Sequence, residues 1–289
     1  MNEKIALTGA TGAVGRRLAT RLSAADVRLR LVVRDVARAP RLDGVEVRQA
    51  AGYGAYEAMR AALTECDALF LIPAAETPDR VNQHRAAVDA AVAAGVGHIV
   101  YLSFFGASVD ATFTLARDHW HTEQYIRGSG AAWTFLRMNL YADFLPTMVR
   151  PDGAIRGPAG DGRLAAVLRD DVAAAGAAVL TSDGHEGRTY DLTGPENLTL
   201  AEVADTMARL TRKAVRFEDE SDDEAFRSRG ALGAPDREVL GWVSSYWAIR
   251  DGSLEQVSSH VEQLTGAAPT SLEAYIAAHP EALNHVDVR

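Results

Sequence analysis

Three glycines in the run Gly9-Ala-Thr-Gly12-Ala-Val-Gly15 stand between a short apolar segment, Lys4-Ile-Ala-Leu-Thr8, and a stretch of helical spacing that continues to about Leu22. A five-residue apolar segment of this kind reads as a strand buried on both faces. Each glycine then has a mechanical task. Gly9 permits a tight turn out of the strand, Gly12 lets backbone N–H groups approach an anion, and Gly15 allows the helix to pack closely on the strand. The start of the helix adds unpaired donors and a partial positive charge. In a strand-turn-helix context, the pattern predicts a turn that binds the diphosphate of a dinucleotide through Gly9, Thr11, Gly12, Ala13, Val14 and Gly15.

The rest of the first half repeats the strand-helix alternation. Arg28–Val33, Val45–Arg48, Ala68–Ile72, His98–Ser103 and Trp133–Arg137 read as further strands. Helical segments separate several of them: residues 79–94, stopping at Gly95, and about 115–127, stopping at Gly128. Such spacing implies right-handed crossovers and a parallel sheet covered on both faces. The expected fold class is α/β, a Rossmann-type doubly wound parallel sheet. Beyond Tyr141 the alternation weakens, and Pro151–Gly162 is rich in turn residues. We therefore expect a dinucleotide-binding domain over 1–150 and a smaller α/β substrate lobe over 151–289, with segments returning to the sheet; Tyr190–Leu192 reads as strand-like. Thr199-Leu-Ala-Glu202 reads as a capping box opening a helix to about Leu210, and Thr270-Ser-Leu-Glu273 opens a last helix that closes near Pro280. The acidic run Glu218–Glu224 reads as a solvated loop or helix start.

Composition narrows the partners. Thirty basic against 39 acidic side chains give a net charge of −9, which argues against a protein that neutralises nucleic-acid phosphates. Only Lys4 and Lys213 are lysines, so no Lys-rich tract exists to engage an anionic membrane. No apolar run approaches the roughly 20 residues needed to span a bilayer, and the N-terminus enters a strand without a signal-peptide pattern. A cytoplasmic protein is expected, acting on a small-molecule substrate as a monomer or homodimer. The single cysteine, Cys66, reads as a small apolar core residue. No metal is expected: His119 and His121 point about 200° apart on a helix and lack a third ligand nearby.

The tips of the predicted strands supply the candidate site. Arg34 ends the second strand, where an arginine pairs with a 2′-phosphate and an acidic residue would grip ribose hydroxyls. NADP(H) is therefore expected over NAD(H), with Arg16 and Arg38 in reach to assist, although Asp35 could turn towards the ribose instead. Ile72 and Pro73 end the fourth strand and would border the cofactor; Asn139 and Tyr141 follow the sixth, near the reactive ring. Related dehydrogenases use Tyr-x-x-x-Lys as a proton relay; neither lysine here lies four residues after a tyrosine. In its place stand His119 and Glu123, one helical turn apart, where the carboxylate could hold the imidazole, and Ser103 at the tip of the fifth strand. Phe104, Phe105, Trp120, Tyr141 and Phe144 could form a flat apolar slot.

Taken together, the glycine loop, the Arg34 tip, Gln83–Tyr101, Trp133–Asn139 and Tyr190–Glu196 resemble the NmrA-like branch of the atypical short-chain dehydrogenases, and within it the bacterial NAD(P)H:quinone oxidoreductase type 2 group. The resemblance extends over most of the chain. It implies hydride transfer from NADPH to a quinone without the tyrosine-lysine relay, with Gly9, Thr11, Gly12, Ala13, Val14 and Arg34 on the dinucleotide. Other NmrA-like proteins bind dinucleotide without turnover and regulate a protein partner, which is the alternative reading. The sequence departs from the family pattern at Gly52 and Gly54, where such proteins usually carry aspartate around Tyr53.

Overall fold

The computed structural model describes residues 3–25 and 27–286. Eleven strands and eleven helices follow one another along them. The chain folds into two compact units, each assembled from three stretches of sequence. The first runs to Val109 and takes in Asp118–Arg137 and Arg169–Asp191; the second comprises Asp110–Arg117, Met138–Leu168 and the chain from Leu192 onwards.

The first unit is built on a sheet of seven strands. In chain order these are β1 (Lys4–Thr8), β2 (Arg28–Val33), β3 (Glu46–Gln49), β4 (Ala68–Leu71), β5 (His98–Phe104), β6 (Ala132–Met138) and, later in the chain, the strand Arg188–Leu192, which is β9. Their spatial order is β3-β2-β1-β4-β5-β6-β9. Pairing is parallel from β3 through β5, with Ile5 opposite both Leu29 and Ala68. The order reverses direction between β1 and β4, and a crevice at such a switch point is where open α/β sheets bind ligands. This is the Rossmann-type α/β fold expected from the glycine loop and the alternation.

The helices explain why the central strands are apolar on both faces. On one side lie α1 (Ala13–Ser23) and a later helix, α6 (Arg169–Thr181). Phe70 faces that side, and a Cβ placed on Gly176 of α6 would lie 3.0 Å from the Phe70 ring. On the other side α2 (Tyr56–Leu63), α3 (Arg80–Ala93) and α4 (Thr114–Arg127) bury Met59, Val88 and Ile126 against Leu69, Leu71, Tyr101 and Phe135. The alternation of Leu69, Phe70 and Leu71 between the two layers is the period of a strand. Helix α3 ends at Ala94 and Gly95, whose φ of +88° is the left-handed cap a glycine accepts readily. Cys66 is buried as expected, its sulfur 3.4 Å from Arg30 Nη1.

The second unit holds the short helix α5 (Leu145–Met148) and two small two-stranded ladders. β7 (Ala154–Gly157) pairs in parallel with β11 (Arg216–Asp219), and β8 (Arg163–Leu164) pairs antiparallel with β10 (Leu198–Thr199). Helices α7 (Leu200–Thr211), α8 (Asp222–Gly230), α9 (Asp236–Arg250), α10 (His260–Thr265) and α11 (Leu272–Ala278) complete it. Thr199 and Glu202 form the expected reciprocal capping box of α7. The last helix opens within the expected stretch: Ser271 caps α11 by accepting from the Ala274 N–H, and the helix begins at Leu272. The acidic run divides between the end of β11 and a capping box, Ser221 with Glu224, that opens α8. Among the described residues no helix is long and apolar enough to cross a membrane.

Candidate active site

The turn after β1 is held by sterics that only glycine satisfies. Gly9 has φ of +66°, and a Cβ there would lie 2.9 Å from Ile72 Cβ. Gly15 has no such freedom to justify it, since its role is contact: a Cβ would sit 2.2 Å from the Gly9 carbonyl oxygen and 2.9 Å from Ala10 Cα. Helix α1 therefore starts directly against the turn. The Gly12 N–H donates to the Gly9 carbonyl at 2.9 Å, so it closes the turn instead of facing outwards. The donors without a helical acceptor are those of Ala13, Val14 and Gly15, the first three residues of α1.

A cleft of about 260 Å³ opens beside this turn, within the first unit. Gly9, Ala10 and Thr11 line it from the turn, Val32, Val33 and Arg34 from the end of β2, and Ala50–Tyr53 from the end of β3; Pro73, Ala74, Ala75 and Gln83 close it. Of the residues predicted at the cofactor, Gly9, Thr11, Arg34 and Pro73 line the cleft. Ile72 lies beneath Gly9. Asn139 belongs to the second unit and is buried, its Nδ2 donating to the Leu254 carbonyl and its Oδ1 accepting from the Leu140 N–H. Both ends of that amide are thus engaged within its own unit.

At the tip of β2, Arg34 is exposed. Its neighbour Asp35 is committed: its Oδ1 accepts from the Ala37 N–H at 2.9 Å and caps a short 3-10 turn, Val36–Arg38. The carboxylate that could have turned to a ribose has a local partner, and the arginine is left at the mouth of the cleft. Tyr53, which the sequence had marked only by the glycines around it, forms part of the floor. Its hydroxyl donates to the Ile72 carbonyl at 2.5 Å and lies 2.8 Å from Thr8 Oγ1, which in turn accepts from the Ile72 N–H at 3.0 Å. Burial pushes this phenol up to about 12, so it remains a protonated tether between β1, β4 and the loop after β3.

Behind the tip of β4 lies a buried polar cluster that sequence reasoning found only in part. Ala74 is held from both sides: its N–H donates to His84 Nε2 at 2.8 Å, and its carbonyl accepts from Arg80 Nε at 3.0 Å. Because Nε2 of His84 accepts, its proton sits on Nδ1 and points to Thr122 Oγ1 at 2.8 Å. Burial holds this imidazole down at about 3. His119 is assigned in the same way. Arg80 Nη2 lies 3.3 Å from its Nε2 and can only donate, so Nδ1 carries the proton and donates to the Tyr101 hydroxyl at 3.0 Å. Burial first, then the Arg80 charge, keep His119 far below the usual histidine range, and it is neutral.

The expected grip of Glu123 on His119 is therefore corrected: the two residues take different partners. Glu123 is fully buried, accepting two bonds from Arg137 at 2.8 and 2.6 Å and one from the Ser103 hydroxyl at 2.6 Å. These bonds raise the Arg137 guanidinium further above its ordinary value. Ser103 thus points into the sheet–helix interface. Arg80 Nη1 is buried without a hydrogen-bond partner, 3.8 Å from Asp118 Oδ2. Tyr141 lies in the second unit, half-buried, its main chain bridged to Val167. Of the proposed aromatic slot, Phe104 and Phe105 are buried, the former against His119, Trp120 is half-buried against His121, and Phe144 is exposed. No group of three or more histidine, cysteine or acidic residues suited to a metal occurs among the described residues.

The model of a family described as NAD(P)H-binding matches residues 9–183, from the first glycine of the turn to beyond α6. The chain belongs to this NAD(P)H-binding family. It is 38% identical to the (4-alkanoyl-5-oxo-2,5-dihydrofuran-3-yl)methyl phosphate reductase of Streptomyces griseus, over 96% of this chain and 98% of that protein. It is 34% identical to quinone oxidoreductase 2 of Escherichia coli, over 93% and 96%. The crystal structure of an NADPH-dependent quinone oxidoreductase from Escherichia coli, in complex with NADPH, superimposes with a TM-score of 0.88 at 33% identity, covering 96% of this chain and 99% of that one. This family member is an NAD(P)H-dependent oxidoreductase.

Proposed function

We propose that the protein reduces a quinone, or a planar electrophile of similar chemistry, with NADPH as the hydride donor and without a tyrosine-lysine relay. The observation that carries the cofactor half is the pairing of a glycine cradle with Arg34 at the mouth of the same cleft, while Asp35 is spent on a local cap. A Cβ would fill the space at Gly9 and Gly15, and Ala13–Gly15 offer the free N–H groups a diphosphate needs. Bound there, the nicotinamide ring supplies a hydride; the chain supplies orientation. Arg34 supplies the charge that a 2′-phosphate would meet.

The proton half rests on where the basic residues are. Lys4 Nζ is 3.0 Å from Glu46 Oε2, and Lys213 Nζ donates to the Leu283 and Val286 carbonyls, so both lysines are engaged in structural contacts. His84 and His119 are neutral and saturated with hydrogen bonds, which suits a scaffold better than a proton donor. We assign Ser103, Glu123 and His119 to positioning: they fix the tips of β5 and β6 and the start of α3. A quinone accepts hydride readily, and its oxygen can take a proton from water, so ring-on-ring orientation is the main demand on the protein.

The test is NADPH oxidation followed at the nicotinamide absorbance with a panel of benzo- and naphthoquinones. Turnover with at least one, and little with simple ketones that need a proton donor, is the expected result. NADPH binding without turnover of any quinone would reject the proposal.

A further inference from the structure

We infer that Arg80 and His84 of α3 are a pair of positioning residues, which set the wall that the tip of β4 presents to the dinucleotide. The step rests on the cofactor reading above, in which the dinucleotide lies in the cleft between the glycine turn and that tip. Pro73, Ala74 and Ala75 are the tip's share of the lining, and neither Arg80 nor His84 belongs to it. Both are buried, with 4% and 0% of their surface exposed.

The two side chains meet at Ala74. His84 Nε2 accepts its N–H at 2.8 Å, and Arg80 Nε donates to its carbonyl at 3.0 Å. They leave α3 four residues apart, on one face of the helix. Bonds to two successive peptide groups fix both the position of the tip and its rotation; a single bond would leave it free to turn. With its main-chain polar groups taken up by α3, Ala74 has its methyl group to offer a ligand.

Each arm of this clamp is itself held. Thr122 Oγ1 donates to the Asp118 carbonyl at 2.8 Å. A carbonyl only accepts, so the Thr122 oxygen has lone pairs alone to offer His84 Nδ1, 2.8 Å away. The ring proton is thereby kept on Nδ1, and Nε2 remains the acceptor that Ala74 needs. Arg80 Nη2 is braced by His119 Nε2 at 3.3 Å. Helices α3 and α4 thus reach the cleft wall through side chains that do not enter the cleft.

Packing alone does not call for these residue types. A buried guanidinium loses more hydration than one bond to a carbonyl returns. Arg80 Nη1 has no hydrogen-bond partner, and the nearest carboxylate recorded for it, Asp118 Oδ2, is 3.8 Å away. An apolar side chain would serve the core better. What arginine and histidine add is a donor and an acceptor at fixed places behind one residue of the wall.

The experiment measures dissociation constants of NADPH and NADH by calorimetry, together with melting temperatures, for the wild type, His84→Leu, His84→Gln and Val88→Ala. His84→Leu leaves the Ala74 N–H without its acceptor and should weaken both nucleotides by about five- to tenfold, the effect of one hydrogen bond. The two losses should be equal, because the 2′-phosphate that distinguishes the nucleotides is met by Arg34. His84→Gln, whose amide oxygen can accept the same N–H, should recover most of the affinity. Val88 is buried in the core one turn further along α3; V88A should melt lower but keep both constants within about twofold. Arg80→Met frees the Ala74 carbonyl and should weaken both nucleotides likewise, which keeps the test open if H84L does not fold. Lower melting with unchanged constants in H84L or R80M would overturn the inference, as would a loss of affinity in V88A equal to theirs. A wild type that binds neither nucleotide rejects the cofactor reading and this inference with it.

Discussion

Replacing Gly15 with alanine tests the contact on which the diphosphate turn depends. The added Cβ would stand 2.2 Å from the Gly9 carbonyl oxygen, 2.7 Å from its carbon and 2.9 Å from Ala10 Cα. All three are backbone atoms, so no side-chain rotamer relieves the overlap. Restoring an ordinary contact requires the start of α1 to retreat by roughly 1 Å, the scale of overpacking that costs about 1–3 kcal/mol. Alanine's better helix propensity returns at most about 1 kcal/mol. At about 2–4 °C per kcal/mol for a chain of this size, the melting temperature should fall by several degrees. The same retreat carries the Ala13 and Val14 N–H groups away from a bound diphosphate, so NADPH affinity should fall by about tenfold or more. Gly12→Ala is the control: its Cβ meets only the Gly9 oxygen, at 3.3 Å, and stability should change by less than about 1 kcal/mol. Thermal unfolding and NADPH titration of both variants decide the matter. A G15A protein with wild-type melting and affinity would refute the close packing of α1 on the turn.

Arg34→Ala should weaken NADPH about tenfold while leaving NADH nearly unchanged, the loss of one exposed charge-assisted contact; equal losses for both would place the 2′-phosphate elsewhere. Stability should fall with acidity between about pH 6.5 and 3. The native state keeps His84 neutral down to about 3 whereas the unfolded chain protonates near 6.5, so unfolding takes up a proton and contributes about 2 kcal/mol of loss by pH 5. His84→Gln should flatten that slope in urea titrations at pH 7 and 5; an unchanged slope would show the imidazole to be exposed to protons. Glu123→Gln leaves the Arg137 guanidinium without its charge partner, at a cost of about 2–4 kcal/mol, but quinone KM should hold. A variant of normal stability that has lost turnover would give Glu123 a chemical role instead.

The legible part of this protein is the part whose signal is local. β1 and β2 fall at the bounds read from their apolar runs, Gly95 caps α3, and Thr199 with Glu202 opens α7. The glycine loop and Arg34 likewise announced themselves, because a turn between strand and helix constrains residues that are neighbours in sequence. Helices α2, α6 and α9 gave no comparable signal: α6, for instance, is rich in alanine and nearly uniform around its circumference, so no stripe marks its buried face.

Chain order alone determined that a strand, a glycine turn and a helix would follow one another and leave free N–H groups at the helix start, since the residues involved lie within a dozen positions of one another. Only the folded molecule decided which partner each polar side chain would take. His119 and Glu123 share a helical face, yet one bonds Tyr101 and Arg80 and the other Ser103 and Arg137. Those partners are brought in by β5, α3 and β6, from 14 to 39 residues away. A buried donor must find an acceptor wherever the packing places one, and one turn of helix cannot specify what the neighbouring strands will bring.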